Sequence, residues 1–372
     1  MVETSVAAPR ARSIIGLDLI RFGAAVAVTV YHLAWRVWEA PITTGVDIVR
    51  GLVRYDGWTF SSGGWIGVEV FFVISGLVIA FSAETATPWK FAKSRIVRIY
   101  PGAWLCASLS AVAIMILVKP PLGELAGQWF RSMVIYPPGD WLTGVYWTLA
   151  VEIAFYATVL AFLLLGAFDR ISWLFAGLSV WSFAYLAYLA FIHFARVRVD
   201  LPAFVPNVLL LKHGCFFAVG GYLWLWSRKR ITPVHWAFAV LAVVACGVEI
   251  AAKFDGHAEG AAGALVWLAV VGLMALSIAY NRYLSSPTVA RLSRSLGLAT
   301  YPLYLIHTTV GFLIIRFVPL PDVGHRILLG CAASIAAAFV VSLWLEPVGQ
   351  RLLSRALDRL AGDRPEPQIK AA

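Results

Sequence analysis

Ten blocks of mostly apolar residues, near 14–35, 65–83, 100–118, 147–168, 171–193, 207–227, 234–252, 262–281, 298–318 and 325–345, constrain this chain more than any other feature. About 20 helical residues cross a hydrocarbon core of about 30 Å, and within it every backbone polar group must be bonded inside the protein. The blocks therefore predict an all-α, polytopic integral membrane bundle of about ten transmembrane helices. Hydrophobic residues make up 60% of the chain and charged residues only 13%, which excludes a soluble enzyme. Short loops and two tails are all that remain, so 1–372 is expected to be a single membrane domain. Its N-tail is 1–13 and its C-tail, amphipathic or disordered, is 347–372.

The net charge of +10 does not point to nucleic acid, because the basic residues lie between apolar blocks and not on one face of a soluble fold. They orient the protein instead. Arg and Lys are more numerous on the side that holds both tails, which places both termini in the cytoplasm of a multi-pass protein of the cell inner (plasma) membrane. The first block is not read as a cleavable signal, since Asp18 and Arg21 interrupt its start and Arg36-Val-Trp-Glu39 follows it. Cys106, Cys215, Cys246 and Cys331 each lie inside an apolar block without metal-ligand spacing, which argues against disulfides and structural zinc. The outside segments 36–64 and 119–146, rich in Trp, Tyr, Gly and Pro, either cover a site or are interfacial loops. Arg351, Arg355 and Arg359 recur every four residues, so Gln350 to Leu360 is expected to lie as an amphipathic helix on the inner leaflet.

Ionisable groups within a bilayer are costly and need a partner, a wet cavity or a role. In the first block Asp18, Arg21 and His32 share one face. Eleven residues bring Arg21 and His32 back to within about 20° of each other, with a rise of roughly 16 Å. Arg21 is thus expected near the cytoplasmic end and His32 near the outer end; the alternative is a helix-end ion pair plus an interfacial His. Glu69 and Glu152 fall in the outer halves of their blocks, and Thr148, Glu152 and Tyr156 form one stripe. Ser75 and Gly76 suit close helix packing. Lys90, Lys93, Arg95 and Arg98 precede the third block, either as an anchor on the inner side or as an anion site in which Arg95 and Arg98, three apart, present two forked donors. Tyr301, Tyr304 and His307 share one side of the ninth block. Phosphate loops, nucleophile elbows and zinc helices are absent, and no metal is expected.

Together these residues resemble the acyltransferase type 3 family of integral membrane O-acyltransferases, which act on bacterial surface and exopolysaccharide sugars, lipid-linked glycans and related acceptors. The resemblance rests on Arg21-x10-His32 within Gly16-Leu-Asp18-x-x-Arg21, and on Gly67-Val-x-x-Phe-Phe-x-Ile-Ser75-Gly76. It rests equally on Arg95-x-x-Arg98-Ile-x-Pro101, on Trp147-Thr148-Leu-x-x-Glu152-x-x-Phe155-Tyr156 and on Tyr301-x-x-Tyr304-Leu-x-His307. Two positions depart from the family pattern: Glu69 stands where Asp is frequent, and Thr300-Tyr301-Pro302 replaces a Ser-Tyr run.

The resemblance implies acyl-coenzyme A, most simply acetyl-coenzyme A, as a co-substrate on the cytoplasmic side, with no tightly bound cofactor. It implies a glycan or lipid-linked glycan acceptor, contact with membrane lipids and a place beside polysaccharide-assembly machinery. Arg95, Arg98 and Arg21 would bind the donor phosphates. His32 would be the general base, with Glu152 or Glu69 orienting its ring, or would carry the acyl group itself. Asp18, Ser75, Trp147, Thr148, Tyr156, Tyr301, Tyr304 and His307 would bind substrate or support the site. A transporter with an intramembrane His/Glu/Arg path is the competing expectation, and a non-catalytic partner in polysaccharide export is a third.

Overall fold

The computed structural model describes residues 14–39, 49, 52, 55–196, 201, 202, 204–254, 257–281 and 286–362. The N-tail 1–13, much of the 36–64 segment and the end of the C-tail lie outside the described residues. Among the described residues there is no strand, and nine helices are long and apolar enough to cross a membrane.

The helices run in chain order as α1 (Ile15–Tyr31), α2 (Ile66–Ala83), α3 (Pro88–Leu117), α4 (Leu122–Met133), α5 (Trp147–Leu164) and α6 (Ile171–Phe194). They continue as α7 (Gly214–Ser227), α8 (Pro233–Ala251), α9 (His257–Tyr280), α10 (Pro287–Phe317), α11 (Val323–Val340) and α12 (Glu346–Leu360). Helices α2 and α10 are the most enclosed, with 78% and 72% of their apolar windows buried, whereas α9 buries 22% and faces the surroundings. The bundle is therefore built around α2 and α10. Helix α10 packs on α1, α3 and α11, and α2 packs on α1 and α7.

Small residues set the closest approaches. A Cβ on Gly220 would stand 2.0 Å from the Val73 carbonyl oxygen, and one on Gly76 would stand 2.2 Å from that of Phe217. Backbones of α2 and α7 thus touch directly, the usual means by which membrane helices gain dispersion contacts without a hydrophobic drive.

The sixth expected span is broken. Block 207–227 folds as a short turn of helix, Val205–Val208, a non-helical stretch at 209–213 containing Leu210 at φ 55°, and then α7. Fourteen residues of α7 rise only about 21 Å. The cause is polar: Lys212 and His213 fall inside the apolar run, and Lys212 Nζ lies 3.6 Å from a Glu249 carboxylate oxygen. Helix α6 satisfies the freed backbone. Trp181 Nε1 donates to Leu209 O at 3.2 Å, Ser182 Oγ donates to Leu210 O at 3.3 Å, and Cys215 N donates to Ser182 Oγ at 3.0 Å.

Three other boundaries move. The basic run Lys90 to Arg98 is not a loop before the third span but the first turns of α3, which Thr87 caps and Pro88 opens. Segment 119–146 contains the amphipathic α4, which packs on α3. The helix after α11 does not leave as a separate tail: a π turn at Val341–Leu345 carries it into α12, and Lys93 pairs with Asp358. All four cysteines are free.

Candidate active site

A cavity of about 520 Å³ lies between α2, α3, α5 and α10, with Arg21 of α1 and Gln350 of α12 completing its wall. Its two ends differ in chemistry because the helices that line it run in opposite directions. At the end near α12, the start of α3 supplies Ser94, Arg95 and Arg98, and α10 supplies Thr300 and Tyr301. At the other end the early residues of α2 and α5, Val68, Phe71, Phe72, Thr148 and Leu149, meet Tyr304.

The arginines are held but not used up. Arg95 donates from Nη2 to Ser82 Oγ at 3.2 Å and from Nε to Ser94 Oγ at 3.1 Å, and its guanidinium sits 5.8 Å from the ring centres of both Phe91 and Tyr156. Arg98 lies 3.5 Å from Glu346 Oε1 and 5.3 Å from the Tyr301 ring centre, while Gln350 Nε2 donates to the same Glu346 oxygen at 2.8 Å. Arg21 stands 3.9 Å from Asp18 one turn before it. Tyr301 is seated by its hydroxyl bond to Ile99 O at 2.8 Å and by Gly102, where a Cβ would come within 2.5 Å of the ring.

In the middle of the cavity Glu152 Oε1 accepts from Ser75 Oγ at 2.8 Å and from the Tyr156 hydroxyl at 2.5 Å. Two helix faces meet here, since Tyr156 is one turn after Glu152 on α5 and Ser75 projects from α2. Thr148 reaches the cavity wall too, its hydroxyl donating to Val145 O at 3.0 Å. Trp147 does not line the cavity but packs on the rings of His213 and Phe72, at centroid distances of 5.2 and 6.0 Å.

His32 lies outside the cavity, at the start of a π turn (His32–Arg36), a helix irregularity frequent at functional sites. Its expected carboxylate partners are elsewhere: Glu152 belongs to the cavity with Ser75, and Glu69 is bound by Lys253. His32 is paired instead with His307 of α10, whose Nε2 lies 3.1 Å from His32 Nδ1. Hydrogen bonding assigns the tautomers. Val28 O, 2.9 Å from His32 Nδ1, and Leu303 O, 3.0 Å from His307 Nδ1, can only accept, so both Nδ1 atoms carry protons. His307 Nε2 is then an acceptor for the shared His32 N–H, and among the described residues nothing bonds His32 Nε2, whose lone pair is free.

Glu69 forms a second buried cluster with Glu249 and His213, whose ligand-type atoms lie within 4.8 Å of one another. The ammonium of Lys253 already lies against both carboxylates, bonded to Glu69 and 2.8 Å from Glu249 Oε1, and supplies the positive charge there. Sequence reasoning missed Glu249 and Lys253, although an acid and a base four apart at the end of an apolar block is a readable signal. It also missed that Gln350 lines the arginine end of the cavity and that Glu346 pairs there with Arg98.

No solved structure matches the chain. Two curated relatives do. The exopolysaccharide production protein ExoZ of Rhizobium meliloti (strain 1021) is 26% identical over 313 residues, covering 80% of this chain and 90% of its own. BcsY of Komagataeibacter xylinus, provisionally named a membrane-bound transacylase, is 27% identical over 228 residues, covering 55% of this chain and 56% of its own. The family model described as "Acyltransferase domain", of acyltransferase type 3, matches residues 14–345. A cationic cavity in a membrane bundle, a histidine with a free lone pair and this match across most of the chain set the transporter expectation aside: the protein belongs to the acyltransferase type 3 family of membrane O-acyltransferases.

Proposed function

We propose that the protein transfers an acetyl group from acetyl-coenzyme A, entering at the α12 face from the cytoplasm, to a hydroxyl of an exopolysaccharide or lipid-linked glycan at the opposite face. One observation carries this reading above the others: three guanidinium groups, Arg21, Arg95 and Arg98, gather at one end of a cavity whose other end is uncharged. Forked donors suit phosphate oxygens. The Ser75–Glu152–Tyr156 cluster offers hydrogen-bonding groups for the amides of a pantetheine arm. The aromatic end would then receive the thioester. The relatives' names, one for exopolysaccharide production and one for a transacylase, support the acceptor class and the reaction class.

His32 Nε2 is the base in this scheme. It takes the acceptor proton as the hydroxyl oxygen attacks the thioester carbon; the C–O bond forms, the C–S bond breaks, and the proton passes to the departing thiolate. In a two-step variant Nε2 itself attacks, an acyl-imidazole forms with loss of the thiolate, and the acceptor hydroxyl then takes the acyl group, its proton balancing the thiolate. His307 orients the ring in both, accepting the Nδ1 proton bond that strengthens as charge develops on His32.

The test is transfer of label from [acyl-¹⁴C]acetyl-coenzyme A to alkali-labile glycan esters, using permeabilised membranes from cells with and without the gene. Esters that depend on the gene are expected. Equal labelling in both membranes would overturn the assignment.

A further inference from the structure

The His32–His307 pair and the donor cavity are adjacent but separate, and the partition between them is aromatic. Tyr304 lines the end of the cavity, and His307 follows it by three residues on α10, a rise of about 4.5 Å. Their ring centres are 6.0 Å apart, and those of His307 and His32 are 5.0 Å apart. Tyr304 therefore stands between the cavity and the catalytic pair. Opposite it, Phe71 of α2 meets the Tyr304 ring edge-on, with centroids 5.6 Å apart and planes at 80°.

Tyr304 is tethered, and Phe71 sits on a closely packed helix. The Tyr304 hydroxyl bonds Val145 O at 3.4 Å in the turn that opens α5, and Tyr304 itself is 6% exposed. Phe71, partly buried, is carried on α2, whose backbone meets that of α7 at Gly76 and Gly220, where there is no room even for a Cβ. A thioester anchored by its phosphates at the arginine end must bring its carbonyl carbon to this partition for His32 to act.

We propose that Phe71 and Tyr304 form an acyl-length filter, which admits a two-carbon acyl group to the histidine pair and rejects longer chains. The proposal rests on the acyltransferase reading above and names the part of the donor it selects. The filter works by steric exclusion against two braced rings, so each added methylene has nowhere to go. Pockets of this kind discriminate by about 10- to 200-fold per methylene.

Permeabilised membranes containing the full-length protein and its native glycan would be given equimolar acetyl-, butyryl- and hexanoyl-coenzyme A. The ester profile released by mild alkali would then be read by mass spectrometry. Wild type is expected to yield acetyl esters almost alone. Phe71→Val should raise the butyryl-to-acetyl ratio about tenfold or more. Tyr304→Phe, which frees the ring from Val145 O, should raise it less, and Phe71→Trp should lower it. The Trp and Phe variants keep an aromatic ring at the partition, so they carry the test if the Val variant does not fold. Wild type that transfers hexanoyl as readily as acetyl, or a ratio unchanged within about twofold in the folded variants, would overturn the filter. If wild type transfers no acyl group of any length, the acyltransferase reading itself fails.

Discussion

His307 Nε2 faces His32 Nδ1 at 3.1 Å, joining residues 275 positions apart in the chain. In the proposed mechanism the base, His32, is thus oriented by a second histidine, not by a carboxylate. His32→Ala should abolish transfer by about 10²-fold or more while leaving coenzyme A binding intact, because the arginines sit apart from it. His307→Gln offers an amide oxygen as acceptor in place of Nε2 and should lose less, with most of the loss in kcat and little in KM for the donor. Kinetics of glycan acetylation by the two purified variants check this. Wild-type kcat in His307→Gln would remove the orienting role.

The arginine end of the cavity makes a separate prediction. Arg95→Lys and Arg98→Lys retain a charge but lose the fork and the stacking on Tyr156 and Tyr301. Each should weaken coenzyme A binding by about tenfold, and the two together should act on one ligand and add less than fully. Titration of the purified protein by calorimetry measures this. Unchanged affinity in both variants would move the phosphates away from α3.

How far this was readable in the sequence depends on the distance over which each feature is encoded. The spans and the Arg95/Arg98 pair follow from local periodicity and were legible. Glu69 and Glu152 look alike in the sequence, both being carboxylates early in apolar helices. Helix rotation alone decides that Glu152 turns to the cavity and Glu69 turns to Lys253, and a low, even polarity around α2 and α5 does not encode that rotation. His32 and His307 were both visible as candidates, but their pairing depends on the crossing of α1 with α10. The break at 209–213 was hidden because two polar residues do not lower the mean hydropathy of a long block, even though they decide its backbone.

Glu346 competes with any phosphate for Arg98, since its Oε1 lies 3.5 Å from the guanidinium inside a mostly buried end of the cavity. Glu346→Gln removes that negative charge while keeping a group that Gln350 can bond. Donor KM should fall several-fold. Thermal stability should fall too, because α12 loses one of its two ionic ties to α3, the other being Lys93 with Asp358. Asp358→Asn is the control: it loosens α12 without unmasking Arg98, so it should lower stability and leave donor KM near the wild-type value.

The contact between α2 and α7 yields the prediction with the clearest sign. A methyl group at Gly220 would sit 2.0 Å from Val73 O and 2.6 Å from Leu77 N, both backbone atoms that cannot rotate aside. Gly220→Ala must therefore push α7 away from α2, whereas Gly177→Ala, which meets nothing within 4 Å on α6, should be neutral. Separation of the two helices would also shift Ser75 relative to Glu152 and so slacken the middle of the cavity. Gly220→Ala is expected to reduce the yield of monodisperse protein in detergent and the melting temperature by several degrees, with weaker coenzyme A binding in whatever folds. Wild-type stability and binding in that variant would mean that α2 and α7 are not in backbone contact, and the bracing of Phe71 would lose its basis.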